Sequence, residues 1–120
     1  MLMCGGEGME KNSLEGTANI LKLMGDKTRL SMLGLLIKHD CCVCEFVEMF
    51  KMSQPAISQH LRKLKDAGLV KETRKGQWIF YSLNKDNQYY PLVQDVIKYI
   101  PDQEQKLILL QQQGLRISCD

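Results

Sequence analysis

Several things are scarce in this 120-residue chain, and each scarcity removes a class of function. No run approaches the ~20 consecutive apolar residues that a membrane span needs. The N-terminus has no basic stretch leading into an apolar segment of roughly 7–15 residues, so no export signal is expected. Membrane and exported classes drop out, and a cytoplasmic location is expected. Net charge is only +2, from 16 Lys+Arg against 14 Asp+Glu. Any nucleic-acid role must therefore come from where the charge sits, not from overall basicity. No Cys-x-x-Cys precedes a helix in a βαβ pattern, and no general base is spaced for catalysis, which argues against a thiol enzyme. There is no internal repeat and no low-complexity linker. At this length one domain is expected, with a core that needs no staples.

Cysteine is not scarce, but its five copies are unevenly spread. Cys41, Cys42 and Cys44 fall within four residues, while Cys4 and Cys119 lie near the two ends. A disulfide framework distributes its cysteines along the chain. A knot of three points instead to metal or redox chemistry.

Residues 1–12, Gly-rich and polar, read as a flexible tail. Residues 13–113 read as one folded unit and 114–120 as a C-terminal tail. Leu14, Ala18 and Leu21 mark an amphipathic helix ending near Gly25. Asp26 can cap a second helix with Leu30, Leu33, Leu36 and Ile37 as its stripe, closed by His39-Asp40. A short third helix would hold Phe46, Val47 and Phe50, with Glu45 and Glu48 facing out. Ser53 is an N-cap candidate and Pro55 sits just inside the next helix. Ile57, Leu61 and Leu64 recur there, and Gly68 stops it. Leu69–Thr73 and Gln77–Leu83 read as two strands joined through Gly76. A helix over Pro91–Ile100, broken at Pro101, and another over Gln103–Gln113 follow. The order is mainly α with a β-hairpin wing: a winged helix-turn-helix, α-α-α-α-β-β-α plus a further C-terminal helix.

Near-neutral charge hides an asymmetry. Residues 51–75 carry seven basic groups and two acids, a net of +5, so the rest of the chain is acidic. That concentration suits phosphate contact, although a basic helix face is also an ordinary solvated surface. The polar set on the fourth helix favours the nucleic-acid reading. Gln54, Ser58 and Gln59 occupy its first turns, where a recognition helix meets base edges, and Ser53 at its start is counted with the DNA-binding residues. Gln can bond an adenine in two places. Arg62 and Lys63 follow along the helix, and Arg74 and Lys75 lie at the hairpin tip, placed for backbone contact. His60 is read as a packing residue at a helix–helix contact, and Trp78 as hairpin packing.

These residues carry a resemblance. Asp26–Leu30, Ser53-Gln54-Pro55-Ala56-Ile57-Ser58-Gln59-His60-Leu61, Ala67-Gly68-Leu69-Val70, and Arg74-Lys75-Gly76-Gln77-Trp78 with Tyr81-Ser82-Leu83 look like the ArsR/SmtB family of metal-sensing repressors, over roughly residues 17–100. The resemblance implies a homodimeric winged helix on palindromic, double-stranded operator DNA. It implies repression without effector and release with it, and a dimer interface made by the first and last helices. Zinc, cobalt and nickel sensors of the family use Asp and His on the last long helix. No His follows residue 60 here, so that site is absent. Arsenic and cadmium/lead sensors carry Cys-Val-Cys at the start of the helix before the recognition helix, and Cys42-Val43-Cys44 matches it. A third cysteine of one arsenite branch is replaced by Val47. Cadmium/lead sensors add two tail cysteines, where this chain has only Cys4, with Cys41 as a further neighbour.

Thiolates are soft ligands and suit As(III), Sb(III), Cd(II), Pb(II), Zn(II) or Cu(I). The metal candidates are Cys42 and Cys44, with Cys41 and Cys4 as additional ligands. A two- or three-sulfur As(III) or Sb(III) site is easier to build from this set than a four-sulfur Cd(II), Pb(II) or Zn(II) cage. Burial as small hydrophobes and thiol-redox switching are the other readings, although neighbouring cysteines make strained disulfides. Cys119 has no assigned part. On a regular helix, positions i and i+2 point about 200° apart. Cys42 and Cys44 can therefore share an ion only if the helix start unwinds toward an extended form.

Overall fold

The computed structural model describes residues 13–114. The order is α1 (Leu14–Met24), α2 (Lys27–Leu36), β1 (Cys41–Cys42), α3 (Val43–Phe50), α4 (Gln54–Asp66), β2 (Val70–Lys75), β3 (Trp78–Leu83), α5 (Tyr90–Ile97) and α6 (Glu104–Gln112). The winged helix-turn-helix expectation holds. The tail readings at 1–12 and 115–120, with Cys4 and Cys119, lie outside the described residues.

The helix starts are set by side-chain caps. Ser13 Oγ accepts the Gly16 N–H at 2.9 Å, Asp26 Oδ2 accepts that of Arg29 at 3.0 Å, and Ser53 Oγ accepts that of Ala56 at 3.3 Å. Each satisfies a donor that the first helical turn leaves open. α4 ends where Gly68 takes φ +81°, a left-handed conformation that costs glycine little. The core joins Ile20 and Met24 of α1, Met32, Leu33 and Leu36 of α2, Phe46 of α3, and Ile57, Leu61 and Leu64 of α4.

The sheet is antiparallel in the order β1-β3-β2. The wing is shifted from the sequence reading. Lys75 pairs with Trp78, so Gly76 (φ +63°) and Gln77 form the turn and the first strand starts at Val70. The third strand, β1, was not expected. It pairs Cys41 with Tyr81 and Cys42 with Phe80, and two residues are too few to carry a period.

Glu45 also differs from its outward reading. It is 1% exposed. Its carboxylate accepts the Cys42 N–H at 2.9 Å, folding back over the helix start as a third-position Glu does in a capping box.

α5 is shorter than the apolar stripe suggests, and the chain turns at residues 98–103. α6 then packs back on α3 and α2 through buried Leu107 and Leu110. Ser31 Oγ donates to Gln103 Oε1 at 2.6 Å, and Lys38 and His39 reach Asp102 and Glu104, each at 3.0 Å.

Candidate nucleic-acid interface and thiol site

α4 buries Ile57, Leu61 and Leu64 completely, so its other face is turned out. Ser53, Gln54, Gln59, Arg62 and Lys63 are exposed there and Ser58 is half-buried. The Ser53 oxygen is engaged as the cap, which leaves its hydroxyl proton free to donate. α3 and α4 meet through a turn in which Lys51 adopts φ 54°, ψ 43°, uncommon for a residue with a Cβ.

The charges divide into engaged and free. Lys65 Nζ lies 3.0 Å from Glu72 Oε1, and Tyr81 donates its hydroxyl to Glu72 Oε2 at 2.6 Å. Those two bonds hold the Glu72 carboxyl below its usual range, the tyrosine bond contributing most. Burial, then the Glu72 bond, pushes the Tyr81 phenol up. This network ties the end of α4 to both wing strands. Lys75 Nζ sits 5.6 Å from the centre of the Phe80 ring, a cation–π distance. Arg62, Lys63, Lys71 and Arg74 form no ion pair among the described residues. They carry the uncompensated positive charge on the helix and wing.

His60 is a packing residue. Arg29 Nη1 donates to His60 Nδ1 at 3.2 Å, and Asp26 lies 3.9 Å away. A guanidinium only donates, so Nδ1 must accept. Burial holds the imidazole pKa below its ordinary value, against the pull of Asp26. Arg29 Nε also donates to the Leu23 carbonyl at 2.8 Å, so this residue locks α1, α2 and α4 together.

The three clustered cysteines have different surroundings. Cys41 and Cys42 are buried in β1 and Cys44 is exposed in the first turn of α3. Successive strand residues point to opposite faces, so Cys41 and Cys42 do not share a side. Cys42 is already extended, at φ −98° and ψ 168°. Only the α3 start at Val43-Cys44 has to unwind for the two thiols to meet. Burial pushes the Cys42 thiol up to about 11. Among the described residues, no group of three or more His, Cys, Asp or Glu side chains is gathered to hold a metal ion. The structure thus leaves Cys42 buried and Cys44 exposed, two residues apart at the start of α3. Glu45, read from the sequence as facing out, braces this segment from inside. The Cys42…Glu45 spacing of a capping box was its available signal.

The fold, the exposed basic face and the relatives below place the chain among winged-helix DNA-binding transcriptional regulators. Residues 26–72 match the family described as bacterial regulatory protein, arsR family. The chain is 41% identical over 95 residues to an HTH-type transcriptional regulator of Methanocaldococcus jannaschii, spanning 78% of this chain and 99% of that one. It is 34% identical over 86 residues to the arsenical resistance operon repressor of Staphylococcus aureus, spanning 72% and 78% of the two chains. Among solved structures, HlyU from Vibrio cholerae superposes with a TM-score of 0.65 at 32% identity, covering 75% of this chain and 96% of that one. A homodimeric winged helix-turn-helix domain from Mycobacterium bovis, described as a possible ArsR-family regulator, gives 0.61 at 26% identity, covering 80% and 91%. The chain belongs to the arsR family and is a transcriptional repressor of that family.

Proposed function

We propose that the chain is a homodimeric repressor of a palindromic operator, released when As(III) or Sb(III) binds Cys42 and Cys44. The observation that carries this reading is where the pair stands. Cys42 ends the strand that pairs with β3 of the wing, and Cys44 opens the helix that packs on α4. A ligand that draws the two thiols together acts on both DNA-facing elements at once. Gln54, Ser58 and Gln59 read base edges, Ser53, Arg62, Lys63, Arg74 and Lys75 hold phosphates, and α4 lies in the major groove. The S. aureus relative, an arsenical resistance operon repressor, supports the choice of effector. Two firm thiols plus one more fit a trivalent metalloid better than a four-ligand divalent ion. Cys4 from the tail is the candidate for a third sulfur, because Cys41 faces the other side of β1 from Cys42.

Dimerisation is supported by uncovered apolar side chains on and beside the outer helices. Leu14 of α1 and Tyr99, just past α5, are each 88% exposed. A second subunit packed on α1 and α5 would cover them, which fits the expected interface along Leu14–Met24 and residues 92–100, although α6 and not α5 is the last helix among the described residues.

The test is an operator mobility shift titrated with arsenite, antimonite, cadmium, lead and zinc. Cys42→Ser/Cys44→Ser should bind operator normally and resist arsenite. Normal release of that variant by arsenite would place the site elsewhere. Release by cadmium or lead but not arsenite would favour the divalent reading, and release by oxidant alone the redox one.

A further inference from the structure

A cleft of about 580 Å³ lies between the first half of α2, the end of α3 and residues 100–106. This volume is typical of small-molecule sites. Its floor is apolar, with Leu30, Phe50 and Ile100. Lys27 and Lys106 stand on its rim, and no lining residue is acidic. Of the nearby acids, Asp26 caps α2 through the Arg29 N–H and Asp102 pairs with Lys38 at 3.0 Å, while Glu48 lies with Lys106 along an adjoining hollow outside the cleft. Ser31 and Gln103 form a hydrogen-bonded wall, and Lys106 Nζ is held 3.1 Å from Gln103 Oε1 and 5.9 Å from the centre of the Phe50 ring. Apolar floor, hydroxyl and amide wall, and two cations that form no ion pair among the described residues together select one chemistry.

We propose that this cleft is a second effector site, for a small amphipathic organic anion with an apolar body and one carboxylate or sulfonate. The body rests on Leu30 and Phe50 and the anionic head lies between Lys27 and Lys106. The site shares no residue with the cysteine cluster. It is nevertheless close to the reading helix, because Phe50 ends α3, Lys51 forms the left-handed turn and Ser53 caps α4. An occupant pressing on Phe50 bears on the turn that aims α4. It also bears on residues 103–106, so α6 forms one wall of the site. The proposal stands independently of the effector bound at Cys42 and Cys44.

The experiment is displacement of 1-anilino-8-naphthalenesulfonate from the full chain, followed by fluorescence, with octanoate and octan-1-ol as competitors. Octanoate should displace the dye at concentrations where octanol, of equal chain length, does not. Lys27→Gln/Lys106→Gln should weaken octanoate about tenfold, and Lys27→Arg/Lys106→Arg should restore it, with circular dichroism unchanged in both. Leu109→Ser, on the outer face of α6, should leave binding as it was. Octanoate should shift operator affinity equally in the wild type and in Cys42→Ser/Cys44→Ser, which separates this site from the thiol pair. Equal competition by octanol, or unaltered binding by the Gln variant, would overturn the proposal. So would binding confined to concentrations at which the chain is monomeric, since a second copy would then occupy the cleft.

Discussion

Truncating Leu107 to alanine should detach α6 while the rest of the domain stays folded. α6 is nine residues long, too short to persist alone in water. It is held by two buried leucines, Leu107 and Leu110, by the Gln103–Ser31 bond and by the Glu104–His39 contact. The Lys38–Asp102 pair is about half exposed on both sides, and solvent screening leaves it a minor contributor. Two buried leucines contribute roughly 3–6 kcal/mol, and most of that is offset by ordering the segment. Leu107 is 1% exposed, and losing such a side chain costs about 2–5 kcal/mol, which exceeds the surplus. Hydrogen exchange should show amides 104–112 losing protection, on the order of 30-fold at the lower figure. Urea denaturation followed by Trp78 fluorescence should shift by under about 1 kcal/mol, because α2, α3 and α4 keep their own core. If instead the denaturation free energy falls by the full amount and α6 exchanges together with α2, α6 is part of the cooperative core and the reasoning fails.

Further expectations follow from other positions. Gly68→Ala places a Cβ 2.8 Å from Asn87 Nδ2 at φ +81° and should cost about 2 kcal/mol in urea denaturation. Gly76→Ala, with nothing within 4 Å, should cost only the conformational part, and equal losses would show that Asn87 is irrelevant. The Asp26 carboxyl is held below its usual range, chiefly by the Arg29 N–H. A folded-state pKa below the unfolded one contributes stability above about pH 4 that is lost as pH falls through the folded value. Asp26→Asn keeps the cap without the charge, so its stability in acid titration should fall less steeply than that of the wild type. Arsenite, as As(OH)₃, takes thiol protons away as water, so loading onto two thiols releases two waters and no protons. A divalent cation must expel one proton per thiolate. With the Cys42 thiol pushed up to about 11, release by cadmium should strengthen as pH rises from 6 to 8 while release by arsenite stays level. Parallel pH profiles in the mobility shift would refute this.

The sequence was most legible where the signals are local. Ser53, Pro55, the Ile57–Leu61–Leu64 spacing and Gly68 mark α4 from end to end, because caps, spacing and stop all act within the helix. Gly76 and the β-prone run after it mark the wing in the same way. What stayed hidden depends on partners distant in the chain. β1 exists because Cys41 and Cys42 meet Tyr81 and Phe80, about forty residues away in sequence by the same pairing. The apolar residues of α6 were visible, but not that α3 is the surface they cover. Glu45 misled because helical period assigns a charged residue to solvent, whereas a backward bond to the Cys42 N–H draws it inside. The contrast between buried Cys42 and exposed Cys44 was out of reach for the same reason: it is set by the strand on one side and the helix start on the other.

That contrast also bears on how the proposed switch could be driven. A tenfold loss of operator affinity needs about 1.4 kcal/mol of coupling, and a ligand shifts an equilibrium only by its differential affinity for the two states. In this structure Cys42 is held by its pairing with Phe80, by a buried thiol and by the Glu45 carboxylate on its N–H. Unwinding the α3 start would separate that carboxylate from the Cys42 N–H inside the core, at a cost of about 1–3 kcal/mol. The cost opposes ligand binding, and it is also what makes the ligand-bound form a distinct state instead of a continuous deformation. In the proposed switch, Glu45 would then act as the spring, through its bond to the Cys42 N–H. A weaker acceptor at this position should release operator at lower arsenite, because less of the ligand's binding energy is absorbed in leaving the resting form.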